Sequence, residues 1–296
     1  MRGWPVTLYE PRLLDEPVAL RPVRVRDARV WREIRVRNAP WLRPWEPTNP
    51  ETPLYRSSLS PYVSMVRAMR REARLGQALP WVVTFGDEFA GQLTVGSIVW
   101  GSARSGQVGY WIDEKFAGRG IVPTALALAI DHSFRVVGLH RLEASIRPEN
   151  HASRRVVEKL GFRDEGLRRR QLHIDGAWRD HLCYAVTAEE VPDRLLTRWR
   201  GLVLASKSGT GAGPGSFPLA PDHPGRPLPV VLVPVAGRRL PAADVHHVER
   251  DDADPDHQQP PESSWVRAGR DGNGAQRNGG DHGGQGEEGR AARPPP

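Results

Sequence analysis

Residues 113–134 read DEKFAGRGIVPTALALAIDHSF, and a polar run becomes an apolar one at the glycines Gly118 and Gly120. Glycine adopts backbone conformations that are closed to other residues, so the pair allows a tight turn and a close approach to a ligand. The apolar run that follows has the period of a helix, and the first N–H groups of a helix lack partners and attract anions. The stretch therefore predicts a loop suited to an anion such as a diphosphate, with a simple turn as the alternative.

The residues around this stretch predict alternating strands and helices. The order indicates an α/β (α+β) fold, in which a mixed, mostly antiparallel sheet is flanked by helices. P-loop and Rossmann folds fit poorly, because GxxxxGK[ST] is missing and the glycine pair follows a strand meander. The predicted strands are 18–25, LPWVVTF, FAGQLTVGSIVW, GQVGYWI, HRLEASI and two strands joined by the turn Asp175-Gly176. The predicted helices are 28–37, which follows Asp27; a helix from Ser60-Pro61 to about Gly76; a helix from the glycine loop to about Val137; and PENHASRRVVEKLGF.

A last helix is predicted through Trp199, introduced by a capping box of Thr187 and Glu190. We therefore divide the chain into a lead-in (1–17), one folded domain (18–200) and a Gly/Pro/Arg-rich tail (201–296). The tail is poor in apolar clusters and is expected to be disordered. Its abrupt change in composition indicates either a flexible appendage or a mis-extended reading frame.

The 296 residues carry a net charge of +7 and a single cysteine, Cys183. One cysteine cannot form an intrachain disulfide, which favours a reducing compartment. No window of about 18 apolar residues occurs, so a membrane span is not expected. We expect a cytoplasmic monomer or homodimer, with no membrane partner and no specific nucleic-acid binding.

Three strings, in this order, carry a family resemblance: GYWIDEKFAGRGIVPTALAL, RPENHASRRVVEKLGF and LHIDGAWRDH. Over about residues 15–195 the chain resembles the GNAT family of acyl-CoA-dependent N-acetyltransferases, and in particular its RimJ/RimL branch of ribosomal-protein N-terminal acetyltransferases. The resemblance implies acetyl-CoA as co-substrate and an amine as acceptor, most simply the N-terminal α-amine of a ribosomal protein. The alternatives are a small-amine N-acetyltransferase, acting on a polyamine, an amino acid or an antibiotic, and a non-catalytic acyl-CoA-binding module.

The resemblance also implies the residues that bind acetyl-CoA. Two positions depart from the family's loop, Q/R-x-x-G-x-G/A: alanine stands at 117 and valine at 122. We expect the β-branched Val122 to crowd the diphosphate and weaken cofactor binding without abolishing it. The main chain of Trp111 and Ile112 is expected to contact the pantetheine arm and the thioester, while their side chains pack in the core. The loop falls on Ala117, Gly118, Arg119, Gly120, Ile121 and Val122.

Asn150 and Ser153 begin the helix of the second string, where they fit an N-cap and a first-turn serine. In the family, the asparagine contacts the pantetheine amide region, and the serine hydroxyl lies near the sulfur, where it can donate a proton or a hydrogen bond to the departing thiolate. Both interpretations can hold together.

An α-amine has a pKa near 7.7–8.0, so a weak base acting through water suffices. Direct attack in a ternary complex is therefore expected, since Cys183 shows no activating partner for a covalent step. Glu143 is the first candidate for the base, with an ion pair to an arginine as the alternative interpretation. Asp180, His181 and His173 are weaker candidates.

The Trp-rich loop from Trp41 to Pro53 lies where the family shapes its acceptor pocket. Trp41 and Trp45 can wall a groove for a peptide N-terminus or a small amine, or can simply anchor the loop to the core. Three further histidines lack the mutual spacing of a metal site, and no metal is expected. These are His132, His140 and His151.

Overall fold

The computed structural model describes residues 3–50 and 59–208. Within them, eight strands form one sheet in the order β1-β2-β3-β4-β5-β6-β8-β7. Neighbours are antiparallel except for β5 and β6, which are parallel. The mixed, mostly antiparallel sheet predicted from the sequence is confirmed. The strands are β1 (Leu8–Glu10), β2 (Val18–Pro22), β3 (Leu79–Phe85), β4 (Glu88–Val99), β5 (Ser105–Ile112), β6 (Arg141–Ile146), β7 (Arg163–Ile174) and β8 (Ala177–Thr187).

Helices flank this sheet, and most begin and end close to the predicted limits. Asp27 precedes the first helix as predicted, but its carboxylate accepts hydrogen bonds from Arg21 and from the N–H of Arg24 instead of capping the helix. In the described residues the helices are α1 (Ala28–Arg37), α2 (Ala39–Leu42), α3 (Leu59–Arg74), α4 (Ile121–His132, extended by a π-helical turn, Ser133–Val137), α5 (His151–Lys159) and α6 (Leu195–Lys207), with 3-10 turns at Val25–Asp27, Arg43–Trp45, Glu114–Phe116 and Ala188–Glu190.

Two apolar cores lie on opposite faces of the sheet. The larger one joins the strands to α4, α5 and α6. The smaller one joins α1, α2 and α3 to β3, β4 and β5, and we call this side of the sheet the α1 face. Because side chains alternate along a strand, Tyr110 and Ile112 point into the larger core while Trp111 lies on the α1 face. Among the described residues, none from β6, β7 or β8 belongs to the smaller core.

The parallel pair β5 and β6 separates after three residues. Ser105–Gln107 pair with Arg141–Glu143, and the pairing then stops. Beyond it, residues 108–112 pair only with β4, and residues 144–146 pair only with β8. The sheet therefore has a V-shaped gap that opens toward the glycine loop after β5.

Both ends of the predicted domain extend further than the sequence indicated. The lead-in contains β1, whose Glu10 carboxylate is buried and accepts a hydrogen bond from Arg200 of α6. Helix α6 runs to Lys207, and Val203 is buried in the larger core. The predicted domain boundary at residue 201 thus falls inside helix α6. A change in amino-acid composition marks where apolar residues become rare, and a helix can continue past that point. The predicted tail beyond residue 208 lies outside the described residues.

The predicted capping box exists but does not start the last helix. Thr187 and Glu190 form it around the 3-10 turn, with Glu190 accepting hydrogen bonds from the N–H and the hydroxyl of Thr187. Helix α6 begins later and is capped from another element, since Asp131 of α4 accepts from the N–H groups of Leu195 and Leu196 at 2.7 and 3.1 Å. A cap supplied from a distant segment leaves no local signal in the sequence.

Candidate active site

The glycine loop joins β5 to α4 through two left-handed residues. Gly118 and Gly120 have φ of 76° and 78°, a region that glycine enters at little cost. Gly120 is the N-cap residue of α4, so the unpaired N–H groups of the first helical turn follow it directly. Trp199 of α6 donates to the Thr124 hydroxyl at 2.9 Å, and that hydroxyl donates to the Gly120 carbonyl at 2.8 Å. These bonds connect the first turn of α4, and with it the glycine loop, to α6.

The side chains of the loop divide between the core and solvent. Ile121 and Val122 are 1% and 4% exposed and belong to the larger core. A side chain this buried offers almost no surface to a ligand, so the structure does not support the expectation that Val122 crowds a diphosphate. Arg119 is exposed, and its guanidinium lies 4.5 Å from the centroid of the Phe85 ring. Ala117 is partly buried against the smaller core.

A buried carboxylate fixes the start of the loop. Asp113 is 1% exposed and accepts hydrogen bonds from Arg37 and, at 2.9 Å, from Asn38 Nδ2. Asn38 Oδ1 in turn accepts from the N–H of Glu114 at 3.0 Å. These contacts satisfy a charge that would be costly to bury alone, and they tie the loop to the end of α1. Sequence reasoning missed this network, because its partners lie about 75 residues apart.

The register of β5 decides which main-chain groups face the gap. In an antiparallel ladder, alternate residues bond to the neighbouring strand and the others point away. The N–H of Asp113 donates to Ala90 on β4 at 2.7 Å, and Ile112 is opposite Gly91, so the peptide groups of Ile112 and Tyr110 point into the gap. The main chain of Trp111 points to β4, contrary to the sequence-based expectation.

The side chains of Trp111 and Ile112 pack in the cores on either face of the sheet, as expected. Trp111 is 3% exposed, and its indole N–H donates to Gln92 Oε1 at 3.0 Å. Ile112 belongs to the larger core. Of these two residues, only Ile112 can therefore contribute to a site in the gap, and only through its main-chain groups.

Asn150 and Ser153 lie at the start of α5. The Asn150 carboxamide oxygen accepts from the N–H of Ser153 at 2.9 Å, so the predicted N-cap is present. Both residues are 1% exposed. The Tyr110 hydroxyl, which also lies in the larger core, is 3.4 Å from the Ser153 carbonyl oxygen. Burial raises the pKa of Tyr110, so this phenol stays a neutral hydrogen-bond donor. The contact between Tyr110 and Ser153 has no local signal in the sequence, because GYWI fits an apolar strand.

Glu143 lies on the α1 face at the closed end of the gap, opposite Gln107. It is partly exposed and accepts a hydrogen bond from Arg141 Nε at 2.7 Å. The ion pair that was the alternative interpretation is therefore present. Arg141 and Arg163 also hold Glu165 and lower its pKa to about 2. Glu143 is thus one member of a paired charge network and not an isolated buried carboxylate.

The other candidate bases are also held by neighbours. Asp180 accepts from the N–H of Arg170 at 2.7 Å, and the His173 ring nitrogen Nδ1 lies 2.7 Å from the Thr48 hydroxyl. His181 is buried, and its Nδ1 lies 3.0 Å from the Arg179 carbonyl oxygen. Burial lowers the pKa of His181, which favours the neutral ring.

Residues Trp41–Thr48 form a strap across the open end of the gap. At one side, Trp41 Nε1 donates to the Ile112 carbonyl at 3.3 Å. In the middle, Arg147, the first residue after β6, donates to the Pro44 carbonyl at 2.7 Å and lies 5.1 Å from the Trp45 ring centroid. At the other side, the N–H of Thr48 donates to the His173 carbonyl of β7 at 2.9 Å.

The structure confirms that the Trp-rich loop is anchored to the core, and its role as a wall of an acceptor groove stays a prediction. Trp41 is buried in the smaller core, so it anchors the segment, while Trp45 is only partly buried. The strap connects the ends of β5, β6 and the β7–β8 hairpin, and thereby borders the gap. The last part of the predicted loop, residues 51–53, lies outside the described residues.

Comparison with known proteins identifies the fold. The family model for the acetyltransferase (GNAT) domain matches residues 18–163. The ribosomal protein uS5-alanine N-acetyltransferase of Escherichia coli (strain K12) is 31% identical over 194 residues, which are 64% of this chain and 97% of that protein. The chain belongs to the GNAT acetyltransferase family.

Two solved GNAT structures support this assignment. Mycobacterium smegmatis RimJ in complex with CoA-disulfide is 45% identical, with a TM-score of 0.64 over 69% of this chain and 96% of that one. The ribosomal-protein-S5-alanine acetyltransferase of Vibrio fischeri is 27% identical, with a TM-score of 0.54 over 58% of this chain and 94% of that one. The chain is thus an acetyl-CoA-dependent N-acetyltransferase of the RimJ/RimL type, and acetyl-CoA is its co-substrate.

The described residues contain neither a candidate metal centre nor a candidate membrane-spanning helix. Residues 3–50 and 59–208 contain no group of three or more histidine, cysteine or acidic side chains arranged to hold a metal ion. No helix in the same ranges has the length and apolar character required to cross a bilayer.

Proposed function

We propose that this enzyme transfers the acetyl group of acetyl-CoA to the N-terminal α-amine of a ribosomal protein, by direct attack in a ternary complex. The observation that carries the proposal is the gap between β5 and β6. It begins at the glycine loop and opens on the α1 face beside β6 and β8, which contribute no residue to the smaller core within residues 3–50 and 59–208. A co-substrate bound from the loop and an acceptor bound on that face meet in the gap.

In this proposal the loop residues, from Ala117 to Val122, bind the diphosphate through main-chain N–H groups at the start of α4. The pantetheine arm lies in the gap against the free peptide groups of Tyr110 and Ile112. Because Trp41 already donates to the Ile112 carbonyl, the pantetheine shares or displaces that contact. Asn150 holds the first turn of α5, and the Ser153 hydroxyl donates a hydrogen bond or a proton to the departing thiolate. A proton given up by Ser153 is replaced by the one that the attacking amine releases.

Direct transfer is supported by the state of the only cysteine. Cys183 is buried, and burial raises the pKa of its thiol. A protonated, buried thiol is a poor nucleophile, so a covalent acetyl-enzyme is disfavoured. Glu143 is the proposed base, acting through water on an amine that is already partly neutral at pH 7. A free thiol also fits the reducing cytoplasm, where we place the reaction.

The acceptor proposal rests on the relatives, whose names specify ribosomal-protein alanine acetylation. To test it, the protein is incubated with acetyl-CoA and with peptides that begin with Ala or Ser, and separately with polyamines, amino acids and aminoglycosides. CoA release is followed with a thiol reagent, and the acetylated position is identified by mass spectrometry. We expect α-acetylated peptides. Higher kcat/KM for the small amines would refute the peptide acceptor, and CoA binding without turnover would refute catalysis.

A further inference from the structure

The edge strand β7 carries three consecutive arginines, none of which has a carboxylate partner among the described residues, and Arg168 lies on the α1 face. Arg168, Arg169 and Arg170 are exposed on β7, the last strand of the sheet. Most other arginines near the site are paired, as Arg163 is with Glu165 and Glu190. Within residues 3–50 and 59–208, no ion pair within 4 Å includes any of the three. Their charge is therefore available to an external anion.

A path on the α1 face connects this edge to the gap. Ser145 of β6 borders the gap and is opposite Cys183 of β8. Gln171 of β7 reaches across Cys183, since its Nε2 donates to Ser145 Oγ at 3.1 Å and its Oε1 lies 3.8 Å from the cysteine sulfur. Arg168 is opposite His181, which lies on the same face of β8 as Cys183. Ser145 and Gln171, which are partly exposed, thus connect the gap to the edge strand, while Cys183 and His181 are buried beside them.

The shape of β7 restricts how a partner can bind there. Its pairing with β8 shifts twice, between Asp164 and Leu167 and between Arg168 and Leu172, and Arg170 has φ of 49°. Bulges of this kind interrupt the straight row of main-chain groups that an added strand needs. Recognition at this edge must therefore use side chains, and the available side chains are cationic.

The spacing selects the part of an acceptor that would reach the arginines. Strands β6 and β7 are separated by β8, so they are about 10 Å apart. An extended peptide covers about 3.3 Å per residue, so three residues cross this distance. With the N-terminal amine in the gap, residues at about positions 4–6 of the acceptor lie beside Arg168–Arg170.

We propose that Arg168, Arg169 and Arg170 form a downstream subsite that binds an acidic side chain at about position 4, 5 or 6 of the acceptor peptide. The inference rests on the proposed peptide acceptor and adds the sequence class of that acceptor. The contacts are exposed ion pairs, which are individually weak, so two of them together favour an acidic peptide by about fivefold to tenfold in kcat/KM. Added salt reduces this preference.

The test uses two peptides with the same first three residues, one carrying Glu at positions 4–6 and one carrying Gln. The hairpin variant combines Arg168→Gln, Arg169→Gln and Arg170→Asn, because asparagine tolerates the left-handed conformation at 170. The matched control combines Arg67→Gln, Arg71→Gln and Arg74→Gln, three exposed arginines of α3. Thermal unfolding confirms that both variants fold.

We expect the wild type to prefer the Glu peptide about fivefold, mainly through KM. The ratio should fall to about one in the hairpin variant and stay in the α3 variant. A wild-type ratio near one, or equal loss in both variants, would overturn the subsite. Retention of the ratio in the hairpin variant together with loss of single-stranded RNA binding would instead identify a nucleic-acid surface and also overturn it. If neither peptide is acetylated, the proposed peptide acceptor itself fails, and the subsite fails with it.

Discussion

Replacing Val122 by alanine tests whether its side chain crowds the bound diphosphate or packs in the larger core. The side chain is 4% exposed and lies in the larger core, so its removal deletes two buried methyl groups. At about 0.8 kcal/mol per buried carbon, with a further cost for the cavity, we expect the free energy of unfolding to fall by about 2–3 kcal/mol. Because the side chain has almost no ligand-accessible surface, the Kd of acetyl-CoA should change less than about twofold, or about 0.4 kcal/mol.

The assay combines urea unfolding with isothermal titration of acetyl-CoA. Val186→Ala, which removes a valine buried in the same core on β8, is the matched control and should show a similar loss of stability. Gly120→Ala is the positive control. It forces a side chain into φ of 78°, with a Cβ 3.3 Å from the Leu14 Cδ2 atom, and should lose both stability, by about 1–2 kcal/mol, and acetyl-CoA affinity. Tighter acetyl-CoA binding by Val122→Ala, with no loss of stability, would refute this reasoning.

Three further predictions concern the cap, the cysteine and pH. Asn150→Ala should cost about 1 kcal/mol of stability and lower kcat, while Asn150→Asp should keep the stability; an unchanged melting temperature in the alanine variant would contradict the cap. Cys183→Ser should retain kcat within about twofold when its steady-state rate is compared with that of the wild type; loss of turnover with intact folding would favour a covalent step. Burial lowers the pKa of His132 and of His181 in the folded protein. Below about pH 6.5 the unfolded chain therefore binds more protons at these two residues than the folded chain does, which favours unfolding. Stability measured by urea unfolding should therefore be full above that pH and fall toward pH 5, and a flat profile would contradict this.

The sequence alone predicted most of the secondary structure and the course of the glycine loop. These features depend on local signals, such as the glycines at 118 and 120, the Asn150 cap and the Asp175-Gly176 turn. Each acts within a few residues of itself, and the structure confirms the cap and both turns. The sequence did not predict features that depend on a hydrogen-bond partner far away along the chain. Helix α6 depends on Asp131, and the start of the loop depends on Asn38.

The site shows the same division. The order of apolar and polar residues placed β5, the glycine loop and α4 in sequence, and three matching strings indicated the family. Only the tertiary structure decided that Val122 points into the core, that the main chain of Ile112 and not of Trp111 faces the gap, and that Glu143 is paired with Arg141. The first two outcomes depend on helix packing and strand register, which a short stretch of sequence does not encode. The ion pair of Glu143 is local, since Arg141 is two residues away, but it needs the strand conformation that places both side chains on one face.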